Sequence, residues 1–403
     1  MLKNQTAEII IIGGGIAGLS AAIYLGRAER NAFVIDAGKS MARWEPDVEN
    51  YLGFPEGIAG SELLRRGQEQ ASRYGVGIIR DEIVKAERKQ DLFKLRGRTH
   101  SYAARRLLLA NGIFHRPAEI DGVPECLGHS MFFCKDCDGF RVRGKRIAIY
   151  GRGNEAVEYA LAMTFYSACV AIVTDGKRPR WDRQHAGWIK KYEIPVYQER
   201  IVAVGREGCE VRSLKFPKGL ELEVDAVFTT RGDIYFNGLA TSLGARVDAE
   251  GQVVVDLDMR TTVKGLYAAG CVTPANCQMI IAAGQGATAA QTINHDLFQE
   301  SLATHSLQRY RGQQLQDLAR SGASEDRKKI LATNHASALD APGLQAGSQW
   351  PTATKPVKSR KTYGKRREIN RSGSSRGQGL QSMDAVRKVS RVHGRRRRSP
   401  AIG

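Results

Sequence analysis

The chain has 403 residues, 42% hydrophobic and 26% charged, the balance of a soluble globular protein of two or so domains plus an extension. Its net charge of +19 is uneven: residues 301–403 hold 22 Lys and Arg against 6 Asp and Glu and carry +16 of it, so the body is nearly neutral and a uniformly basic protein is excluded. Seven cysteines, odd in number and dispersed, argue against a disulfide framework and for a reducing, cytoplasmic setting with one functional pair.

Glu8 to Ile12 is a short apolar run, the pattern of a buried parallel strand. Gly13-Gly14-Gly15-Ile16-Ala17-Gly18 follows and opens a helix over residues 19–27. Gly13, Gly15 and Gly18 fit Gly-x-Gly-x-x-Gly: one glycine for the tight turn, one for backbone approach to a pyrophosphate, one for close helix–strand packing. Residues 32–35 read as the next strand, ending at Asp36, where a carboxylate can grip a ribose hydroxyl. The apolar run 9–25 resembles a signal-peptide core, but three consecutive glycines and the lack of a basic leader argue against one. No other stretch is apolar enough to span a bilayer. A loop at 48–55, an amphipathic helix at 60–74 and a strand at 107–109 running into Ala110-Asn111-Gly112 come next, followed by Arg116.

Cys134-Lys135-Asp136-Cys137-Asp138-Gly139-Phe140 places two thiols two residues apart, followed by a carboxylate. Such a pair forms a small, readily exchanged disulfide and has one thiol of lowered pKa. Half of a zinc site and two buried cysteines are the other readings; zinc would need two more soft ligands, with Cys126 and His129 nearby in the chain. A strand at 146–150 then leads into a second fingerprint, Gly151-Arg152-Gly153-Asn154-Glu155-Ala156, with Ala156 in the third small position. The strand 169–173 that follows ends in Thr174-Asp175-Gly176-Lys177, with Arg178 and Arg180 beyond. Asp175 suits a 2′-hydroxyl and repels a 2′-phosphate, whereas the basic trio suits the phosphate. A shell kept as scaffold without a nicotinamide is the third reading. Gly265-Leu266-Tyr267-Ala268-Ala269-Gly270 is a strand running to Cys271, and Gln278-Met279-Ile280 starts a helix rich in small residues. From residue 301 composition shifts to Ser, Gln, Gly and Arg, with basic clusters at 365–367 and 395–398. That is the signature of a disordered tail, solvated or loosely attracted to nucleic acid or anionic surfaces.

Residues 6–300 resemble the low-molecular-weight thioredoxin reductases, FAD flavoproteins of the pyridine nucleotide–disulfide oxidoreductase class. The resemblance rests on five motifs in order: 13–18; Glu49-Asn50-Tyr51-Leu52-Gly53-Phe54-Pro55; 110–112 with Arg116; 134–140; and 265–270 with Gln278. It implies an α/β fold of two Rossmann-like doubly wound domains, the second inserted into the first, plus the basic tail. The FAD domain would be 1–117 with 241–300, and an NAD(P)-binding-like domain carrying the cysteine pair would be 118–240. It implies a homodimer whose domains swivel, and two electrons passing from a donor through FAD and the dithiol to thioredoxin or a similar partner. Cys137 would face the flavin, Cys134 would attack the partner, and Asp138 would be the general acid. FAD would contact Gly13, Gly15, Ala17, Gly18, Asp36, Asn50, Gly112, Gly270, Cys271, Gln278 and Met279. NADPH or NADH would contact Gly151, Gly153, Asn154, Ala156, Asp175, Lys177 and Arg178. Two departures stand out. The family's His-Arg-Arg-x-x-x-Arg phosphate-binding run is absent, which also admits another donor such as ferredoxin. Cys271 replaces the Asp that binds the flavin's ribityl chain; it reads as a small filler, or as a third thiol near the flavin tail, and forfeits a contact of about 1 kcal/mol. A rival from another class is a flavin-holding redox sensor whose tail docks to nucleic acid.

Overall fold

The computed structural model describes residues 4–118, 120, 122 and 124–320. The first sheet contains β1 (Asn4–Ile12), β2 (Ala32–Asp36), β3 (Gly77–Arg80), β4 (Ile83–Lys89), β5 (Leu92–Gly97) and β6 (Ser101–Leu109), in the order 3-2-1-6-5-4. β1 runs parallel between β2 and β6, and Ile9, Ile10 and Ile11 are fully buried. A strand covered on both faces has no reason to alternate polar and apolar residues, hence four consecutive isoleucines. β4 and β5 form an antiparallel ribbon that pairs with the first half of β6.

Helix α1 (Ile16–Arg27) packs on this sheet through Ala17, Gly18, Ala21 and Ala22, and α2 (Gly60–Arg73) follows β2 in the chain. A Cβ at Gly18 would collide with the carbonyl oxygen of Gly13, itself at φ +109°. The helix can therefore sit on its strand only with glycine at 18. Gly18→Ala is expected to cost roughly 1–3 kcal/mol of stability by overpacking and to loosen the turn ahead of the helix. Thermal melting of the variant checks this, and an unchanged midpoint would contradict it.

The chain leaves this sheet through β7 (Ile113–His115) and builds a second one. Its strands are β8 (Met131–Phe132), β9 (Ile147–Tyr150), β10 (Val170–Val173), β11 (Val196–Tyr197) and a later strand, Ala226–Thr229, all parallel, with the last between β9 and β8. The one-turn helix α3 (Lys135–Asp138) follows β8, and α4 (Asn154–Met163) follows β9. α4 buries Ala156, Val157, Ala160 and Met163, one face of a helix at the helical period. An antiparallel sheet of β12 (Ala203–Glu207), β13 (Glu210–Lys215) and β14 (Glu221–Glu223) precedes that last parallel strand, β15.

The chain returns through β16 (Asp233–Tyr235), antiparallel to β7, with His115 Nδ1 2.6 Å from Asp233 Oδ1. β17 (Leu266–Ala268) then pairs parallel with the second half of β6, so residues after the second sheet complete the first. After α5 (Arg183–Lys191) in the inserted unit and the short α6 (Gly238–Ser242), helix α7 (Met279–Ala303) sends Ala282, Ala289, Ala290, Ile293 and Leu297 into the core that holds Ile9, Ile11 and Ala17. The fold is thus α/β: two Rossmann-like doubly wound units, the second inserted into the first.

Ser306–Arg320 forms helix α8, where an irregular chain was expected from residue 301. Leu, Gln and Arg are strong helix formers, and Gln313 donates to Asp317 Oδ1 at 2.9 Å across one turn. A low apolar content does not prevent a helix from forming locally. The remainder of the basic tail, with the clusters at 365–367 and 395–398, lies outside the described residues. Among the described residues no helix is long and apolar enough to cross a membrane.

Candidate active site

The carboxyl ends of the first sheet's parallel strands open into a cavity of about 740 Å³, within the range of cofactor sites. Gly13, Gly15, Ala17, Asp36, Asn50, Gly112, Gly270, Cys271, Gln278 and Met279 line it. So do Cys134, Cys137 and Asp138 from the inserted unit. Gly18 lies behind the lining, where it lets α1 approach. No side chain caps the N-terminus of α1 at Gly15, which leaves backbone N–H groups for an anion. Asp36 is buried and accepts the Gly14 N–H at 3.1 Å.

Cys134 and Cys137 are joined as a disulfide at the two ends of α3's single turn. The Cys134 sulfur also accepts the Cys137 N–H at 3.1 Å, so the chain turns helically just where the sulfurs must meet. Gln278 Nε2 donates to both sulfurs, at 3.4 Å each, and its Oε1 accepts from Asn50 at 3.0 Å. Two predicted cofactor residues therefore hold the disulfide from across the cavity. The sulfurs are bonded to each other, and among the described residues no group of three or more His, Cys, Asp and Glu could hold a metal ion.

Asp138 is 4% exposed, and Arg141 Nη1 lies 3.2 Å from its Oδ1. Burial pushes its carboxyl up to about 7; the charge of Glu45 adds to this and Arg141 opposes it. Burial also raises Glu45, against Arg141 and His115. Glu45 and His115 line the same cavity. A carboxyl poised near neutrality can give or take a proton at physiological pH. Sequence reasoning found Asp138 but missed Glu45, His115 and Arg141. Only Arg141 had a local signal, its position three residues after Asp138 on the same short helical stretch.

Cys271 is not a lone filler. It is bonded to Cys277, with Cα atoms 5.0 Å apart, and both line the cavity. The expectation of a single pair is corrected to two; the six-residue separation carries no pattern of its own. Cys126, Cys169 and Cys209 are free.

The second fingerprint is arranged differently. Gly153 caps α4, Ala156 is buried, and a Cβ on Gly151 would meet Thr230. The Asn154 side chain is tied to Asp182 by two hydrogen bonds of 2.9 Å. Asp175 accepts from Tyr150 Oη at 2.7 Å and from the Ile201 N–H at 3.0 Å, with Lys177 Nζ at 3.6 Å. Arg178 is exposed. None of these residues lines the cavity around the disulfide.

Two Rossmann-like units meeting at one cavity, with an exchangeable disulfide on its wall, define a nucleotide-dependent disulfide oxidoreductase. Known proteins agree. Residues 7–290 match the pyridine nucleotide-disulphide oxidoreductase family, and the chain belongs to that family. It is 32% identical over 292 residues to a thioredoxin reductase of Treponema pallidum, covering 70% of this chain and 94% of that one. It is 31% identical to a thioredoxin reductase of Coxiella burnetii, covering 72% and 96%. The crystal structure of the thioredoxin reductase from Streptococcus pyogenes superposes with a TM-score of 0.69 at 25% identity, covering 74% of this chain and all of that one.

Proposed function

We propose that the protein reduces the disulfide of thioredoxin or a thioredoxin-like partner, with Cys134 and Cys137 as the exchanging pair. The observation that carries this reading is a buried carboxyl titrating near neutrality beside a disulfide that lines a cofactor-sized cavity.

FAD fits the residues present: a glycine turn that no Cβ could share with the backbone at 110, an uncapped helix N-terminus, and a buried carboxylate at Asp36. Gly13, Gly15, Ala17, Asp36, Asn50, Gly112, Gly270, Gln278 and Met279 would hold it. When bound, it supplies the two electrons that open the disulfide. The chain's own groups do the rest. Gln278 Nε2 points at both sulfurs and favours a thiolate there. The Cys134 thiolate attacks one sulfur of the partner's disulfide, and the departing sulfur takes the Asp138 proton. Cys137 then attacks Cys134, the mixed disulfide breaks, and the partner leaves with both sulfurs reduced. This division of labour goes with an FAD domain of 1–117 and 241–300 and a nicotinamide-type domain of 118–240.

The family's nicotinamide is the first reading of the donor, NADPH or NADH, with Gly151, Gly153, Lys177 and Arg178 as its contacts. The same chemistry fed by another donor is the second. It is favoured by one observation: the carboxylate of Asp175 and the amide of Asn154 are already engaged within the protein. Anaerobic mixing of the FAD-loaded chain with NADPH and NADH separates the two. Bleaching by either supports the first; bleaching by neither, with reduction by ferredoxin, supports the second. A purified chain that stays colourless and takes up no FAD would sink both. The resemblance also supports a homodimer in the cytoplasm, and sedimentation at twice 44.3 kDa checks the dimer. Salt-sensitive attraction of the basic tail to nucleic acid is a separate property, read from charge alone.

A further inference from the structure

Four of the seven cysteines line the cavity, and these four are the paired ones; the three elsewhere are free. Cys271 follows Gly270, whose N–H is held at 2.8 Å by Gln285 Oε1, so one end of the loop 271–277 is anchored at the end of β17. The other end, Cys277, is the chain neighbour of Gln278, whose amide reaches both sulfurs of the first pair. Cys271 and Cys277 are half-buried, open to the same space as Cys134 and Cys137. Both disulfides thus face one cavity, and the glutamine that follows Cys277 bridges to the sulfurs of the first.

We propose that Cys271–Cys277 is a second redox-active disulfide, reduced by the Cys134/Cys137 dithiol within the shared cavity; this rests on the function proposed above. The Cys134 thiolate attacks Cys277 Sγ. The Cys271–Cys277 bond breaks, and Cys271 leaves as a thiolate and takes a proton. The Cys137 thiolate then attacks Cys134 Sγ, the Cys134–Cys277 bond breaks, and Cys277 leaves and takes the second proton. Cys134 and Cys137 end as the disulfide, Cys271 and Cys277 as thiols, and two electrons have moved. The chain thus stores a second dithiol in the same cavity, next to the glutamine that governs the first.

The test is anaerobic reduction of the FAD-loaded full chain with dithionite, followed by iodoacetamide labelling and peptide mapping. Wild type is expected to take up two electrons for the flavin and two for each of two disulfides, and to become labelled at all four cavity cysteines. The C271S/C277S protein should take up two fewer. In the C134S/C137S protein, checked for bound flavin, Cys271 and Cys277 should stay paired. Labelling of Cys134 and Cys137 alone in wild type overturns the inference and leaves the proposed function standing. Labelling of neither pair overturns both. Labelling of Cys271 and Cys277 in C134S/C137S as fully as in wild type overturns the exchange route. Where a variant fails to fold, wild type alone still overturns the inference if Cys271 and Cys277 remain unlabelled.

Discussion

Replacing Asp138 with Asn is expected to lower disulfide turnover at pH 7 by roughly 10²–10⁴-fold, while making the folded chain more stable at the same pH. The two effects share one cause. Burial is the main reason the carboxyl sits near 7; Glu45's charge adds to it, and Arg141 only partly compensates. Its ordinary value is 3.8, so between about pH 4 and pH 7 the folded chain holds a proton that the unfolded chain has released. Stability contributed by this group is therefore full below pH 4, falls as pH rises to about 7, and stays low above. The gap corresponds to roughly 4 kcal/mol at most. An amide of the same shape carries no charge to bury, though it leaves Arg141 facing a neutral group, so a net gain of about 1–3 kcal/mol at pH 8 is expected. Wild-type turnover should fall about tenfold per pH unit above 7 as the proton is lost, and that limb should vanish in the variant. Melting curves at pH 5 and pH 8 with a pH–rate profile check both halves. An Asn protein as active as wild type, or one whose stability still falls between pH 4 and 7 as wild type's does, would end the assignment.

Features encoded within a few neighbouring residues were legible in the sequence. The first fingerprint, Asp36 at the end of its strand, and the Cys-x-x-Cys followed by an acid are local patterns, and each carries its physical reason in its spacing. The nesting of one unit within the other was legible only through the family resemblance, because β17 finds β6 across more than a hundred intervening residues. What stayed hidden is what topology alone brings together. The charge of Glu45, on a loop before α2 (Gly60–Arg73), acts on Asp138, and His115, on the strand that leaves the first sheet, acts in turn on Glu45. The Cys271–Cys277 bond was hidden differently: Cys271 stands at a motif position that carries Asp in the family, Cys277 belongs to no motif, and a substituted position looks like a loss until its partner is seen. The second fingerprint shows a different limit of local spacing. Its spacing is good, but nothing in the spacing reveals that Tyr150, Ile201 and Asp182 already occupy its polar groups.

Cys137→Ser is expected to abolish turnover, a loss of more than roughly 10³-fold, with FAD content unchanged. The flavin should stay because the glycine turn, Asp36 and the helix N-terminus that would hold it belong to other elements. Turnover should go because exchange needs two sulfurs: one to attack and one to resolve. With Cys134 intact and no resolving thiol, the protein should accumulate a mixed disulfide with an oxidised thioredoxin-type substrate, visible as a reducible adduct on a non-reducing gel. Cys134→Ser should be equally inactive but form no such adduct, since Cys134 is the sulfur proposed to attack the partner. The pair of variants therefore assigns the two sulfurs separately. Adduct formation by Cys134→Ser alone would exchange their roles while keeping the dithiol. Sustained turnover by either variant would mean that the electrons leave by another path, and the cavity's only other paired sulfurs among the described residues are those of Cys271 and Cys277.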